Sequence, residues 1–376
     1  MQNSFVDLAY SKGFERVEVD TFLPVSLFLR LYGEDIRQMA FMLSDPVMGE
    51  VCLRPDFTAP VAYMHATGRT SGAGRYLYSG DVFHRPQRDD EWKHTRTYQY
   101  GVEIIGCQDS ISTDAEIFIF LHNTLSKYSN KPFNTKIGDR AIATCWIDSL
   151  NIHSHWKMRL HRHFCNQERF NKILNDCLCF IRNQSCEVRG GCDTDNIRRV
   201  TCETVKRFLP EQKIFGVRSY DDIINRSVEL NLLSLEPASL SEEIVQLTCK
   251  MMQVCGKVEQ SLAELRELAR DACLDMETVF SDFEKRLELL ASSGICLDKL
   301  YFDASFGGHL EYYDGFVFEM TAPEHIEGAY EGCSMSAAFR RMAGGGRYNR
   351  MAQSLCDDGS VRAAGGALNV FDEVIR

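Results

Sequence analysis

The chain has 376 residues, of which 44% are hydrophobic and 25% charged, the balance of one large soluble domain with an insertion or of two ordinary domains. Its 53 acidic residues outnumber 42 basic ones, for a net charge of −11. That disfavours nucleic acid as a partner, since such binding is dominated by phosphate neutralisation. No stretch reaches the roughly 18 apolar residues of a membrane span, no signal peptide is read at the start, and fifteen cysteines scattered singly along a long chain predict reduced thiols in the cytoplasm.

In chain order, residues 3–12 have helical spacing with Phe5, Leu8 and Ala9 on one side, and Gly13 stops the helix. Residues 14–19 alternate with period two, as a half-buried strand does. Residues 75–83 and 97–105 are rich in aromatic and β-branched side chains and predict two strands, joined as an antiparallel hairpin by the polar run 85–93. Residues 114–126 predict a helix through Ala115, Phe118, Ile119, Leu121 and Leu125. From about 146 to 296 the alternation fades and helical periodicity takes over, most clearly over 240–270 and 276–292, so this stretch is expected to be a helical insertion domain. Strand patterns return at 299–303 and 312–321, and 343–348 read as a glycine-rich turn. The expected fold is an α/β (α+β) core over 1–145 and 297–376, interrupted by that insertion.

Four segments carry chemistry. Leu53-Arg54-Pro55-Asp56-Phe57-Thr58-Ala59 holds a carboxylate and a hydroxyl two residues apart. Gln99-Tyr100-Gly101-Val102-Glu103 holds two polar acceptors four apart on a strand, and therefore on one face. Tyr312 and Tyr313, in a strand, would point to opposite faces, so that one of them packs in the core. Gly344-Gly345-Gly346-Arg347-Tyr348 closes the set. A free histidine needs acceptors for its ammonium and a polar or aromatic slot for its ring, and Asp56, Thr58, Gln99, Glu103 and the tyrosines supply both. Four histidines between 153 and 163 do not fall on one helix face with a further ligand, and Cys177-Leu178-Cys179 lacks the spacing of a metal pair, so no metal or other cofactor is assigned.

These segments resemble, in order, the Leu-Arg-Pro-Glu-Gly-Thr-Ala segment, the end of motif 2, the Leu-Asp-Tyr-Tyr strand and the Gly-Gly-Arg-Tyr turn of the class II histidyl-tRNA synthetases. The resemblance implies a class II antiparallel sheet flanked by helices. It places Asp56, Thr58, Gln99, Glu103, Tyr312, Tyr313 and Arg347 at an ancestral histidine pocket. It also shows where the chain departs. The synthetase arginine before the paired tyrosines falls on Gly308, and the motif 3 arginine falls on Asp372 in an ungapped alignment. The motif 2 arginine falls on His84, or on Arg85 if the loop slips by one. A carboxylate in place of an arginine at a triphosphate replaces attraction with repulsion, roughly 4 kcal/mol per charge pair at 4 Å and an effective dielectric near 20. The anticodon-binding domain that follows motif 3 in the synthetases has no counterpart before Arg376.

A silent histidyl-synthetase-like chain is similar to the regulatory subunits of short-form ATP phosphoribosyltransferase. The segment from Gly138-Asp139-Arg140-Ala141 through Trp156-Lys157-Met158-Arg159 resembles that family too. The resemblance implies a non-catalytic protein of histidine biosynthesis. Its expected partners are the short catalytic subunit in a hetero-octamer, a second copy through the class II core, and L-histidine as effector. The other expectation is a minimal histidine-activating ligase that uses Arg85 and Arg347 in place of the missing arginines.

Overall fold

The computed structural model describes residues 2–33, 36–68, 73–85, 95–129, 132–184, 194–208, 220–233, 240–307, 312–323, 339–356 and 358–370. Gly308 and Asp372 lie outside them, as does most of the charged run after Arg85. The strands are β1 (Glu15–Arg16), β2 (Phe22–Pro24), β3 (Met42–Asp45), β4 (Gly49–Leu53), β5 (Gly74–Phe83) and β6 (Arg96–Ile105), then β7 (Asn134–Asp139), β8 (Cys255–Lys257), β9 (Leu300–Asp303), β10 (Phe316–Pro323), β11 (Phe339–Arg347) and β12 (Ala363–Val370). Nine of them form one sheet in the order β1-β5-β6-β12-β11-β10-β7-β9-β8, antiparallel except at β1–β5 and β7–β9. A second sheet has the order β2-β4-β3.

The chain divides into two compact units. The first comprises residues 1–143, 253–266 and 276–376, and the second comprises 144–252 and 267–275. The first unit contains both sheets. In the second, the described regular elements are helices, among them Arg140–Ser149 in its later part, Ser154–Arg162, Gln167–Gln184 and Glu242–Met251. There the indole of Trp146, wholly buried, donates from Nε1 to Thr248 Oγ1 at 2.9 Å, so its polar edge is satisfied inside an apolar core.

The hairpin β5–β6 pairs residue for residue from Gly74↔Ile105 to Phe83↔Arg96. The helix expected over 114–126 runs from Ser110 to Tyr128, because Asp109 caps it by accepting from Ile111 N at 2.9 Å. It covers one face of the sheet: Phe118 packs edge-on against Phe318 at 5.0 Å. A Cβ at Gly366 would meet Leu121 at 2.8 Å.

Several elements differ from the sequence expectation. The strand over 14–19 shrinks to Glu15–Arg16, held parallel to β5. The helix expected over 240–270 is two helices, Glu242–Met251 and Val258–Asp271, separated by β8, whose Gly256 adopts φ +139°. The tyrosine strand begins only at Phe316, so Tyr312 and Tyr313 precede it. The largest difference is at 343–348. The glycine run is not a turn but part of β11, in its second half, paired with β10 on one side and β12 on the other. Cross-strand hydrogen bonding satisfies the bare backbone on both sides, and tight packing accounts for the missing side chains: a Cβ at Gly345 would lie 2.4 Å from Gly365 O.

Candidate functional site

The register decides which residues meet. On the face of the sheet turned away from the Ser110–Tyr128 helix, β6 presents Gln99, Gly101 and Glu103. Across it β12 presents Gly365, Ala367 and Asn369, and β11 presents Gly344 and Gly346. Glycine and alanine therefore floor this face, and larger groups stand at its ends.

Glu103 stands at one end and is fully buried. Its Oε1 accepts from Thr58 Oγ1 at 2.7 Å and from Tyr78 OH at 3.0 Å, and its Oε2 accepts from Tyr348 OH at 2.6 Å. Burial pushes this carboxyl up to about 7, even though all three hydroxyls favour its charged form. Two glycines make its position possible. A Cβ at Gly365 would fall 1.5 Å from Glu103 Oε2, and one at Gly101 would fall 2.2 Å from the Tyr78 ring. Asp56 lies nearby at the start of the Thr58–Ala66 helix, accepting from Tyr32 OH at 2.6 Å and from Ala59 N at 2.9 Å. Burial raises its carboxyl above the usual aspartate range, and the hydrogen bonds to Tyr32, Ala59 and Thr58 oppose that rise.

Tyr312 and Tyr313 are both buried, and they belong to one cluster instead of facing apart. Their rings are 4.8 Å from each other, and Tyr312 lies 5.7 Å from Tyr32 and 5.9 Å from Tyr348. The period-two argument fails here because the pair sits in the turn before β10. The buried Tyr312 hydroxyl meets the hydroxyls of Tyr32 and Tyr313 without well-formed hydrogen-bond geometry.

The sequence-predicted residues therefore separate into three groups. Asp56, Thr58, Glu103, Tyr312 and Tyr313 come together around the buried carboxylates. Gln99 shares their face but stands four residues along β6 from Glu103, roughly 13 Å, and donates from Nε2 to Asn369 Oδ1 at 2.9 Å. Arg347 is elsewhere. Odd-numbered in β11 beside Gly346, it turns to the helix side, where it pairs with Asp114 and donates to Ser110 O at 2.6 Å. Arg286 bridges the same Asp114 and Asp139 at 2.8 Å each. Burial still outweighs both guanidiniums at Asp114 and pushes its carboxyl up to about 6. This buried ion network ties helix to sheet. Tyr32, Tyr78, Tyr348 and Asn369 complete the pocket. Tyr78 could have been found by its strand alternation, but Tyr32 comes from a distant helix with no such signal.

Of the motif 2 alternatives, His84 is half-buried and held below the usual histidine range by burial and by the charge of Arg341, while Arg85 is exposed. Among the described residues no group of three potential metal ligands converges; His161, in the histidine-rich helix, instead bonds Asp148 Oδ1 at 2.8 Å. A separate cavity of about 540 Å³ opens between β2 and the helices Val25–Tyr32 and Thr58–Ala66, beside the exposed Phe22, Met48 and Tyr63. No helix among the described residues is long and apolar enough to cross a membrane. No disulfide joins the described cysteines.

Known proteins resemble this chain in sequence and in fold. The histidyl-tRNA synthetase family model matches residues 1–173. The ATP phosphoribosyltransferase regulatory subunit of Brucella anthropi is 28% identical over 347 residues, covering 90% of this chain and 86% of that protein. The regulatory subunit of Agrobacterium fabrum is 28% identical over 94% of this chain and 90% of its own length. The chain resembles ATP phosphoribosyltransferase regulatory subunits. Among solved structures, a Bacillus halodurans protein described as an ATP phosphoribosyltransferase regulatory subunit/histidyl-tRNA synthetase superposes with a TM-score of 0.59 at 18% identity, over 98% of this chain and 75% of that one. The histidyl-tRNA synthetase of Nostoc sp. PCC 7120 gives 0.57 at 16% identity, over 98% and 68%. The fold is that of the class II histidyl-tRNA synthetases.

Proposed function

We propose that this chain is the non-catalytic regulatory subunit of short-form ATP phosphoribosyltransferase, acting in the first step of histidine biosynthesis. It binds the short catalytic subunit, activates it and mediates inhibition by histidine. The observation that carries this reading is the likeness to regulatory subunits along nine-tenths of the chain. The pocket supports the histidine part: the carboxylates of Asp56 and Glu103, set among Thr58, Tyr32, Tyr78, Tyr312, Tyr313 and Tyr348, offer acceptors and aromatic faces to an ammonium and an imidazole. Gln99 and Asn369 stand at the other end of the same floor.

Histidine regulates by shifting the complex between a more and a less active arrangement, in proportion to its preference for one of them. The full assembly is a cytoplasmic hetero-octamer. Within it two copies of this chain meet through the β2-β4-β3 sheet and its neighbours, where Phe22, Leu43, Val47, Met48 and Tyr63 are exposed. The ligase alternative asks Arg347 to hold a substrate phosphate, and its commitment to Asp114 on the opposite face counts against that.

The test is to mix the chain with a matched short catalytic subunit and measure ATP phosphoribosyl transfer with and without histidine. The expected result is a rise in rate that histidine suppresses, with suppression lost in a Gln99→Ala, Glu103→Ala double variant. No complex and no rate change would sink the regulatory reading. Intact suppression in the double variant would move the histidine sensor away from this pocket.

A further inference from the structure

An amino acid entering this pocket brings a carboxylate as well as an ammonium, and the pocket already holds Asp56 and Glu103. A buried anion with no cation to meet it is costly. Yet the positions at which the synthetases carry arginines are Gly308, Asp372 and His84 in this sequence, or Arg85 in place of His84 if the loop slips by one, and Arg85 is exposed. Two other arginines near the floor are committed. Arg54 donates from Nε to Asp81 O at 2.7 Å and from Nη1 to Val19 O, with its guanidinium over the Phe57 ring at 4.3 Å. Arg347 pairs with Asp114 on the other face.

Arg341 is placed differently, and a β-bulge places it. The β10–β11 register runs Glu319↔Gly344 and Met320↔Ala343, then shifts to Thr321↔Arg341, which leaves Met342 as an extra residue. In an unbroken strand Arg341 would share a face with Ala343 and Arg347. The extra residue moves it to the face of Gly344 and Gly346, the pocket floor. There the guanidinium lies across the strand. A Cβ at Gly344 would fall 2.4 Å from Nη2 and 2.7 Å from Nε. Two residues along, roughly 7 Å, Tyr313 crosses Gly346, with a Cβ there 2.9 Å from its ring. The charge of Arg341 is felt at both Tyr313 and His84, lowering each. Among the described residues the guanidinium makes a long ion pair from Nε to Glu319 Oε2 at 3.7 Å, and that Nε is buried without a hydrogen bond.

We infer that Arg341 is the carboxylate-binding residue of the pocket, the cation that receives the α-carboxylate of the bound amino acid in place of the absent synthetase arginines. The planar guanidinium fork suits a carboxylate bidentately. Glu319 holds the fork in position until the ligand arrives. Gly344 is the cradle that lets the fork lie flat on the strand. The inference rests on the histidine-pocket reading above.

Its test is calorimetric titration of the full chain with L-histidine and with histamine, which is histidine without the carboxylate. The wild-type chain is expected to bind histidine more tightly than histamine. Arg341→Gln is expected to weaken histidine about 10- to 100-fold, the worth of a charge-assisted pair, and to leave histamine unchanged. Equal weakening of both ligands would make Arg341 a structural residue and overturn the inference. Unchanged histidine binding would overturn it while leaving the pocket reading intact. Absence of histidine binding by the wild-type chain would remove both. If Arg341→Gln does not fold, Glu319→Gln decides, since it removes the competing anion. Tighter histidine with unchanged histamine is expected, and no change in either would overturn the inference.

Discussion

Replacing Glu103 by glutamine should change how stability depends on pH, and by an amount the structure sets. Glu103 is fully buried, and burial raises its carboxyl from the ordinary 4.5 to about 7. The folded chain therefore holds this proton until about pH 7, while the unfolded chain releases it near 4.5. Between those values the folded state binds more protons, so the contribution is fully present below about pH 4.5 and is lost as pH rises through 7. At about 1.4 kcal/mol per pH unit, the loss is about 3 kcal/mol. Glutamine keeps the shape and cannot ionise. Urea unfolding followed by far-UV circular dichroism at pH 5 and pH 8 should show wild type losing about 2.5 kcal/mol relative to Glu103→Gln, most of that total. Asp114, raised to about 6, also contributes a slope, but it is present in both proteins and cancels in the difference. Because two compact units need not unfold together, hydrogen exchange of the β6 amides provides a local reading of the same quantity. Parallel pH curves for the two proteins would refute the burial argument.

Two further outcomes follow from the same geometry. Gly365→Ala puts a methyl 1.5 Å from Glu103 Oε2 and 2.8 Å from Val102 O, so Glu103 must leave its three hydroxyls. Overpacking together with broken charge-assisted bonds should cost roughly 3–5 kcal/mol, measured as a shift in urea midpoint, whereas Gly359→Ala, with no atom within 4 Å, should shift it little. Asp114→Asn removes the anion shared by Arg286 and Arg347, whose side chains are 7% and 8% exposed. Leaving buried guanidiniums underpaired should cost about 3–5 kcal/mol, and a thermal melt within a degree or two of wild type would contradict it.

Much of the site could be read along the chain because it is local. The β5–β6 hairpin follows from aromatic and β-branched alternation, and the same period of two places Gln99 and Glu103 on one face. The Asp56–Thr58 segment forms its own helix start, so the proximity of those two side chains needs no long-range contact. Where period two was extended beyond a real strand, it misled: Tyr312 and Tyr313 lie before β10, and a turn can bury both on one side.

The remaining features depend on pairing between distant segments. Glycines in a row look the same whether they loop into solvent or run through a crowded sheet centre, so the reading of 344–346 was decided by β10 and β12 arriving on either side. The raised carboxyl of Glu103 needs hydroxyls from residues 58, 78 and 348 and the burial they create together. Arg341 and Arg347 are six apart on one strand, a spacing that alone would place them on the same face. A single extra residue at Met342 sends one to the pocket and leaves the other in an ion network behind the sheet. Residue type and local period are properties of the chain, whereas register, bulges and burial are set by which strand lies alongside, and those decide which side chains share the pocket.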